Sequence, residues 1–242
     1  MRIVIPSVKY ADLLAVVLPA WQAFLPHADI TVVTSTRDAE TAALAAAYGV
    51  ACCQTDVWYA QVPTQDAQDG PVVFNKAAAL DEAFGFRGSW RSAPAVGDLC
   101  LSLDCDVVPE GTFPQEDQVK PRIIYSVPRY ECPTPEALAE HQAGRGRRLR
   151  LIPPKVKGQT YVASIPGLTP REAAKRCLGF FQLFRYHEGL RFGDFKTAGG
   201  YDMAFRDQFQ SRAALLSMHV LHLGEQHREN WKGRVVAPWA TT

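Results

Sequence analysis

Two aspartates, Asp104 and Asp106, close the run Leu99-Cys100-Leu101-Ser102-Leu103-Asp104-Cys105-Asp106-Val107-Val108. An apolar run broken only by Ser102 predicts a strand buried on both faces, and the carboxylates then fall, at i and i+2, in the loop at its C-terminal end. Open parallel sheets bind ligands at that end of their strands. Two neighbouring negative charges need something positive between them. A hard divalent cation, Mn²⁺ or Mg²⁺, held by oxygens supplies it and leaves room for phosphate oxygens. The structural alternative is a plain turn, with Asp106 accepting backbone N–H bonds and Asp104 solvated.

Three further segments carry chemistry. Phe74 to Phe84 predicts a helix capped by Asn75, whose opening offers N–H groups and the Lys76 ammonium to an anion; otherwise Lys76 simply points into water. Gly199-Gly200-Tyr201-Asp202 pairs two glycines, which permit close backbone approach to a ligand, with one acid at a helix start. Asp202 could act as general base, accept from a sugar hydroxyl, or only favour the helix dipole. Finally, His222 ends an apolar run, Gly224 follows, and Lys232 and Arg234 come after. That order suits a metal ligand followed by cations that neutralise a diphosphate. His219 and His227 read as structural histidines.

Together these segments resemble the GT-A glycosyltransferases, which use nucleotide sugars and carry a D-x-D after a Rossmann-like half. The resemblance runs from Arg2 to Arg234. It implies a divalent metal bridging the two phosphates of a nucleoside-diphosphate sugar, with Asp106 as the main direct ligand, Asp104 nearer the ribose or sugar, and His222 completing the shell. It implies Asp202 as the base of an inverting reaction, although inverting members usually carry Glu-Asp where this chain has Tyr201-Asp202. Gly179 to Phe184 resembles the segment lining the sugar or acceptor side. Pro6, Ser7 and Thr34, at the ends of the first two strands, fall where base and ribose lie in such a sheet. Lys76, Lys232 and Arg234 would then stabilise the departing diphosphate.

Other readings compete. A haloacid-dehalogenase-like phosphatase would use Asp104 as nucleophile, but its motif normally ends the first strand, and here at least three strands precede it. A sugar-phosphate nucleotidyltransferase would need a glycine-rich, arginine-containing loop in place of Ser7-Val8-Lys9-Tyr10. A non-catalytic nucleotide-binding module would tolerate loss of both aspartates.

The elements that must position these residues alternate. Arg2–Pro6, Ile30–Thr34, Val50–Gln54 and Leu99–Leu103 read as strands, and Tyr10–Phe24, Asp38–Tyr48 and Phe74–Phe84 as helices. Such alternation means βαβ units and a parallel sheet. Later, Ile123–Val127, Tyr161–Ile165 and Gly179–Phe184 read as strands, Thr134–Ala143 and Pro170–Cys177 as helices, and Ala213–Leu223 as an apolar run. The stretches 61–71 and 144–157 read as surface loops. The expectation is one GT-A-like α/β domain over 1–242, with a Rossmann-type central mixed sheet flanked by helices. Its nucleotide-binding half spans 1–107, and its acceptor-binding half and tail span 108–242.

Composition narrows the partners. An apolar share of 47% against 21% charged residues is enough to build a core and excludes a disordered chain. The formal charge of +1 gives no overall field towards nucleic acid or an anionic membrane. A local field remains in the basic run Arg145 to Lys157, which is either a solvated loop or a contact for a polyanionic acceptor such as a glycan or hydroxymethylated DNA. The apolar stretch Leu13–Leu25 is too short to span a bilayer and is interrupted by Pro19 and Gln22, so a buried helix is expected and no membrane insertion. Six cysteines without a C-x-x-C pair fit a reducing, cytoplasmic compartment rather than a zinc site.

Overall fold

The computed structural model describes residues 1–59, 75–145, 148–152, 167–176, 179–194 and 201–224. The first four strands and three helices follow the alternation read from the sequence. They are β1 (Arg2–Pro6), α1 (Ala11–Phe24), β2 (Asp29–Ser35), α2 (Ala39–Ala47), β3 (Ala51–Thr55), α3 (Lys76–Phe84) and β4 (Leu99–Leu103). Local chemistry sets the helix ends. The Asp38 side chain accepts from Thr41 N–H at the start of α2, and that of Asn75 from Ala78 N–H at the start of α3. Gly85 ends α3 in the left-handed region, where a β-carbon would stand 2.4 Å from the Ser92 carbonyl oxygen.

Strand periodicity sorts the core into two layers. Ile3 and Ile5 of β1 and Leu99, Leu101 and Leu103 of β4 share one layer with α1; Val4 and Cys100 share the other with α3. Each fully buried leucine or isoleucine contributes about 1.5–3 kcal/mol. The helix α1 is buried as expected and accommodates Pro19. Its Trp21 is fully buried, and the indole N–H donates to the Val107 carbonyl.

The rest of the chain is divided between two sheets. Its elements are β5 (Val107–Gly111), β6 (Ile123–Ser126), β7 (Arg129–Cys132), α4 (Pro135–Gln142), β8 (Arg150–Leu151), α5 (Pro170–Arg176), β9 (Phe181–Arg185), α6 (Tyr201–Arg206), β10 (Ser211–Ala214) and β11 (Met218–Leu223). The main sheet has seven strands in the order β10-β6-β9-β4-β1-β2-β3, and the small one has four in the order β5-β11-β7-β8. The strand β4 lies between parallel β1 and antiparallel β9. This is a mixed α/β sheet, with β3-β2-β1-β4 parallel in Rossmann-type order, flanked by helices.

Several expectations change. Val107–Gly111 and Arg129–Cys132 are strands, and the apolar run 213–223 contributes to two strands in different sheets. The basic stretch 144–157 is not wholly a loop, because β8 lies within it and pairs with β7. The linker 61–71 and the strand expected at 161–165 lie outside the described residues. Among the described residues no helix is long and apolar enough to cross a membrane. The five described cysteines are free thiols.

Candidate active site

Asp104, Cys105 and Asp106 form the link between the two sheets, since β4 belongs to one and β5 to the other. The backbone of each acid is anchored to a different sheet. The Asp104 N–H donates to the Phe180 carbonyl, next to β9, at 3.0 Å. The Asp106 carbonyl accepts from Leu223 N–H of β11 at 2.8 Å. The acids sit where the sequence places them, at the C-terminal end of a central buried strand.

Two other predicted residues converge on them. The Lys76 ammonium, at the first turn of α3, pairs with Asp104 Oδ1. It does not point into water, since its side chain is 14% exposed. Burial alone would depress its pKa, but Asp104, with Tyr201 and Asp202 behind it, holds it well above the usual lysine range. His222 Nε2 lies 3.3 Å from Asp106 Oδ2. Burial would raise the Asp106 carboxyl; His222 by charge and hydrogen bond, then Arg129 and Lys76, outweigh this and hold it below the usual carboxylate range.

Asp202 joins the same cluster from α6. Burial pushes its carboxyl up to about 6, with Lys76 opposing and Asp104 adding to the rise. Its Oδ1 is buried without a hydrogen-bond partner. A six-residue helix does not hold itself. Here Tyr201 and Phe205 anchor it in an aromatic layer, where Phe205 stacks on Phe192 at 3.8 Å between centroids. The helix α3 secures the preceding segment, as Asp81 accepts from Phe192 N–H at 2.6 Å and from Gly193 N–H at 3.1 Å. Asn75 and Arg87 both donate to Asp194. One helix thus presents the lysine and holds the segment that leads towards the acid.

Gln182 is the individual residue that sequence patterns do not single out within the segment 179–184. It is fully buried on β9, opposite Ser102 of β4, and neither its amide nitrogen nor its oxygen has a partner. A lone amide in an apolar strand is the signal that marks it. Unmet polar atoms in a buried site are costly unless a ligand meets them.

The other expected residues have different fates. Pro6 and Ser7 are buried at the end of β1, with Ser7 facing the Cys105 thiol. Thr34 is fully buried and its hydroxyl donates to Asp38 Oδ2 at 3.2 Å, so it serves the α2 cap. Gly199, Gly200, His227, Lys232 and Arg234 lie outside the described residues. Of the basic run, Arg145 and Arg148 are exposed, whereas Arg150 forms a two-pronged pair with Glu131. Arg147, Lys155 and Lys157 lie outside the described residues. His219 is structural as expected, sharing Glu110 with His141.

The donor set matches part of what a divalent ion needs. Asp106 Oδ1 and His222 Nδ1 are buried without partners, and carboxylate oxygen with imidazole nitrogen is a donor set that manganese accepts. Asp104, by contrast, is already neutralised by Lys76. Among the described residues no group of three or more His, Cys, Asp or Glu is assembled to hold a metal. The fitting pair is Asp106 and His222, and other positions on an ion would fall to ligand or water. A cavity of about 310 Å³ bordered by Tyr130, Met218 and His219 shares no residue with this cluster.

No protein-family model matches the chain, and no curated protein matches it. Among solved structures it is similar to galactosyltransferase LgtC in complex with donor and acceptor sugar analogs, at 20% identity over 60% of this chain and 50% of that one, with a TM-score of 0.34. An active-site mutant of LgtC is similar at 19% identity over 57% of this chain and 48% of that one, with a TM-score of 0.33. The chain spans about half the length of these structures.

Proposed function

We propose that this protein is a metal-dependent glycosyltransferase that moves a sugar from a nucleoside diphosphate to an acceptor hydroxyl. The observation that carries this reading is the convergence of Lys76 and His222, from different elements, on the two carboxylates that end the central strand. A lysine and a histidine converging on an acid pair at that point suit a phosphorylated ligand better than a turn. Asp106 and His222 would hold a Mn²⁺ or Mg²⁺ ion, which supplies Lewis-acid stabilisation of a diphosphate leaving group.

The side chains divide the remaining work. Lys76 has three N–H donors; one serves Asp104 and another reaches the Tyr201 hydroxyl, so a phosphate oxygen can take the third. The acceptor oxygen forms its bond to the anomeric carbon while the bond from that carbon to the phosphate oxygen breaks, and the electron pair leaves on the diphosphate. The acceptor proton passes to Asp202, whose carboxyl, at about 6, is ionised at neutral pH yet basic enough to receive it. The Gln182 amide would hydrogen-bond the sugar. Lys232 and Arg234 are assigned to the leaving diphosphate, and Pro6 and Ser7 to the nucleoside end, whereas Thr34, fully buried and bonded to Asp38, does not reach a ligand.

The test is a screen of UDP-, GDP-, ADP- and dTDP-sugars for donor consumption with and without Mn²⁺, on the wild type and Asp106→Ala. Consumption that needs Mn²⁺ and falls 100-fold or more in the variant is expected. Unchanged turnover in Asp106→Ala would overturn the metal-dependent reading. Thermal stabilisation by Mn²⁺ alone, present in the wild type and absent in the variant, provides a readout independent of turnover.

A further inference from the structure

Among the described residues, Arg129 is the arginine of the small sheet whose charge acts on Asp106. It pairs with Val220 across β7 and β11, which puts it on the same side of the sheet as Glu131 and His222. Its guanidinium lies 4.5 Å over the ring of Phe180, the residue whose carbonyl receives the Asp104 N–H. It thus crosses from the small sheet to the rim of the main one, held by stacking. Its charge also reaches Asp106.

The neighbouring carboxylates are already engaged. Glu131, two residues along the same strand face, is taken by both prongs of Arg150 at 2.7 and 2.9 Å. Asp106 meets His222, and Asp104 meets Lys76. Among the described residues no carboxylate forms an ion pair with Arg129, and its Nε is buried without a hydrogen-bond partner. A buried guanidinium donor without an acceptor carries a desolvation cost that an anionic ligand removes.

We propose that Arg129 is an anion-binding residue that takes a phosphoryl oxygen of the ligand on the small-sheet side of the acid pair. The inference rests on the reading of this cluster as a phosphate-ligand site, and it adds a protein cation, independent of any metal, beside Asp106, as Lys76 is beside Asp104. The planar fork suits two phosphoryl oxygens at once, which a lysine cannot match.

The experiment measures binding of inorganic pyrophosphate by calorimetry, in chelator and without metal, to the wild type, Arg129→Met and Arg129→Lys. Arg129→Met retains the stem over Phe180, and Arg129→Lys keeps the charge; unfolding curves establish that each is folded. The expected result is measurable wild-type binding, weakened tenfold or more in Arg129→Met and by a smaller factor in Arg129→Lys. Binding equal in all three, or no binding by the wild type, would overturn the inference. If Arg129→Met does not fold, Arg129→Lys decides alone, because loss of the two-pronged contact must still weaken binding. Pyrophosphate binding that depends on Arg129 in a protein that consumes no nucleotide sugar would sustain this inference and defeat the transferase reading.

Discussion

The carboxylate of Asp202 rests against the α-carbon of Gly179: a β-carbon there would stand 2.3 Å from Oδ2 and 2.9 Å from Cγ. Gly179 is thus a glycine because an acid occupies the space of its side chain. A methyl group must push Asp202 away while leaving Asp104 and Asp106 in place. Gly179→Ala is expected to lower kcat about 100-fold, since displacement of a reacting group by 1 Å has that order of effect. Steady-state kinetics with a consumed donor check this, and donor KM should change little.

The Asp202 carboxyl also links turnover to pH. Burial raises it from 3.8 to about 6 in the fold, so its ionisation opposes folding. The penalty is absent below the unfolded pKa near 3.8, grows as pH rises, and is complete above about 6. Turnover should therefore rise through pH 6, while Asp202→Asn abolishes it and stabilises the protein at pH 7–8 by up to about 3 kcal/mol. Thermal unfolding from pH 4 to pH 8 checks the second half: the variant's advantage must vanish at the acid end.

Lys76 lies between two acids and restrains both. Lys76→Met leaves Asp104 without its counter-charge beside Asp202, so the acid limb of the pH–rate profile should move above 6. Stability should fall by about 2 kcal/mol, less than the ~3–5 kcal/mol of a fully buried pair, because the Asp104 side chain is 30% exposed. Adding Asp104→Asn should recover part of that loss, and a double-mutant cycle on urea unfolding measures it.

Asp81 tests how the acid-bearing helix is held. Asp81→Ala strands the N–H groups of Phe192 and Gly193, at a cost on the order of 3 kcal/mol. Urea unfolding reads the loss, and hydrogen exchange should speed up at 201–206 before it does at β4. Unaltered exchange there would mean that the aromatic layer alone secures α6.

The sequence made β4 legible because its five residues are apolar or small and all buried. Asn75 was legible as a cap because its role involves residues three positions away. β5 and β7 were not. Val107–Gly111 includes Pro109 and Gly111, which weaken a strand pattern, and Arg129–Cys132 is short with two charged residues. Their strand character comes from pairing with β11, far along the chain. The burial of Lys76 was illegible for the same reason, since its partner Asp104 lies on another element. Arg129 carried no local mark at all; only the occupation of Glu131 by Arg150 isolates it.

The seating of β9 beside β4 has a consequence for how the chain comes to be folded. Until Phe181–Arg185 has left the ribosome, the edge of β4 that will receive it is an apolar strand with unsatisfied backbone groups. Synthesis at about 5–20 residues per second leaves that edge waiting for several seconds. Through most of that interval the acids at its end have only Lys76 and Arg129 as early-made companions, since Asp202 and His222 are still to come. The unpaired edge of β4 is a template for self-association while it waits, and a chaperone acting on the nascent protein would find its target there.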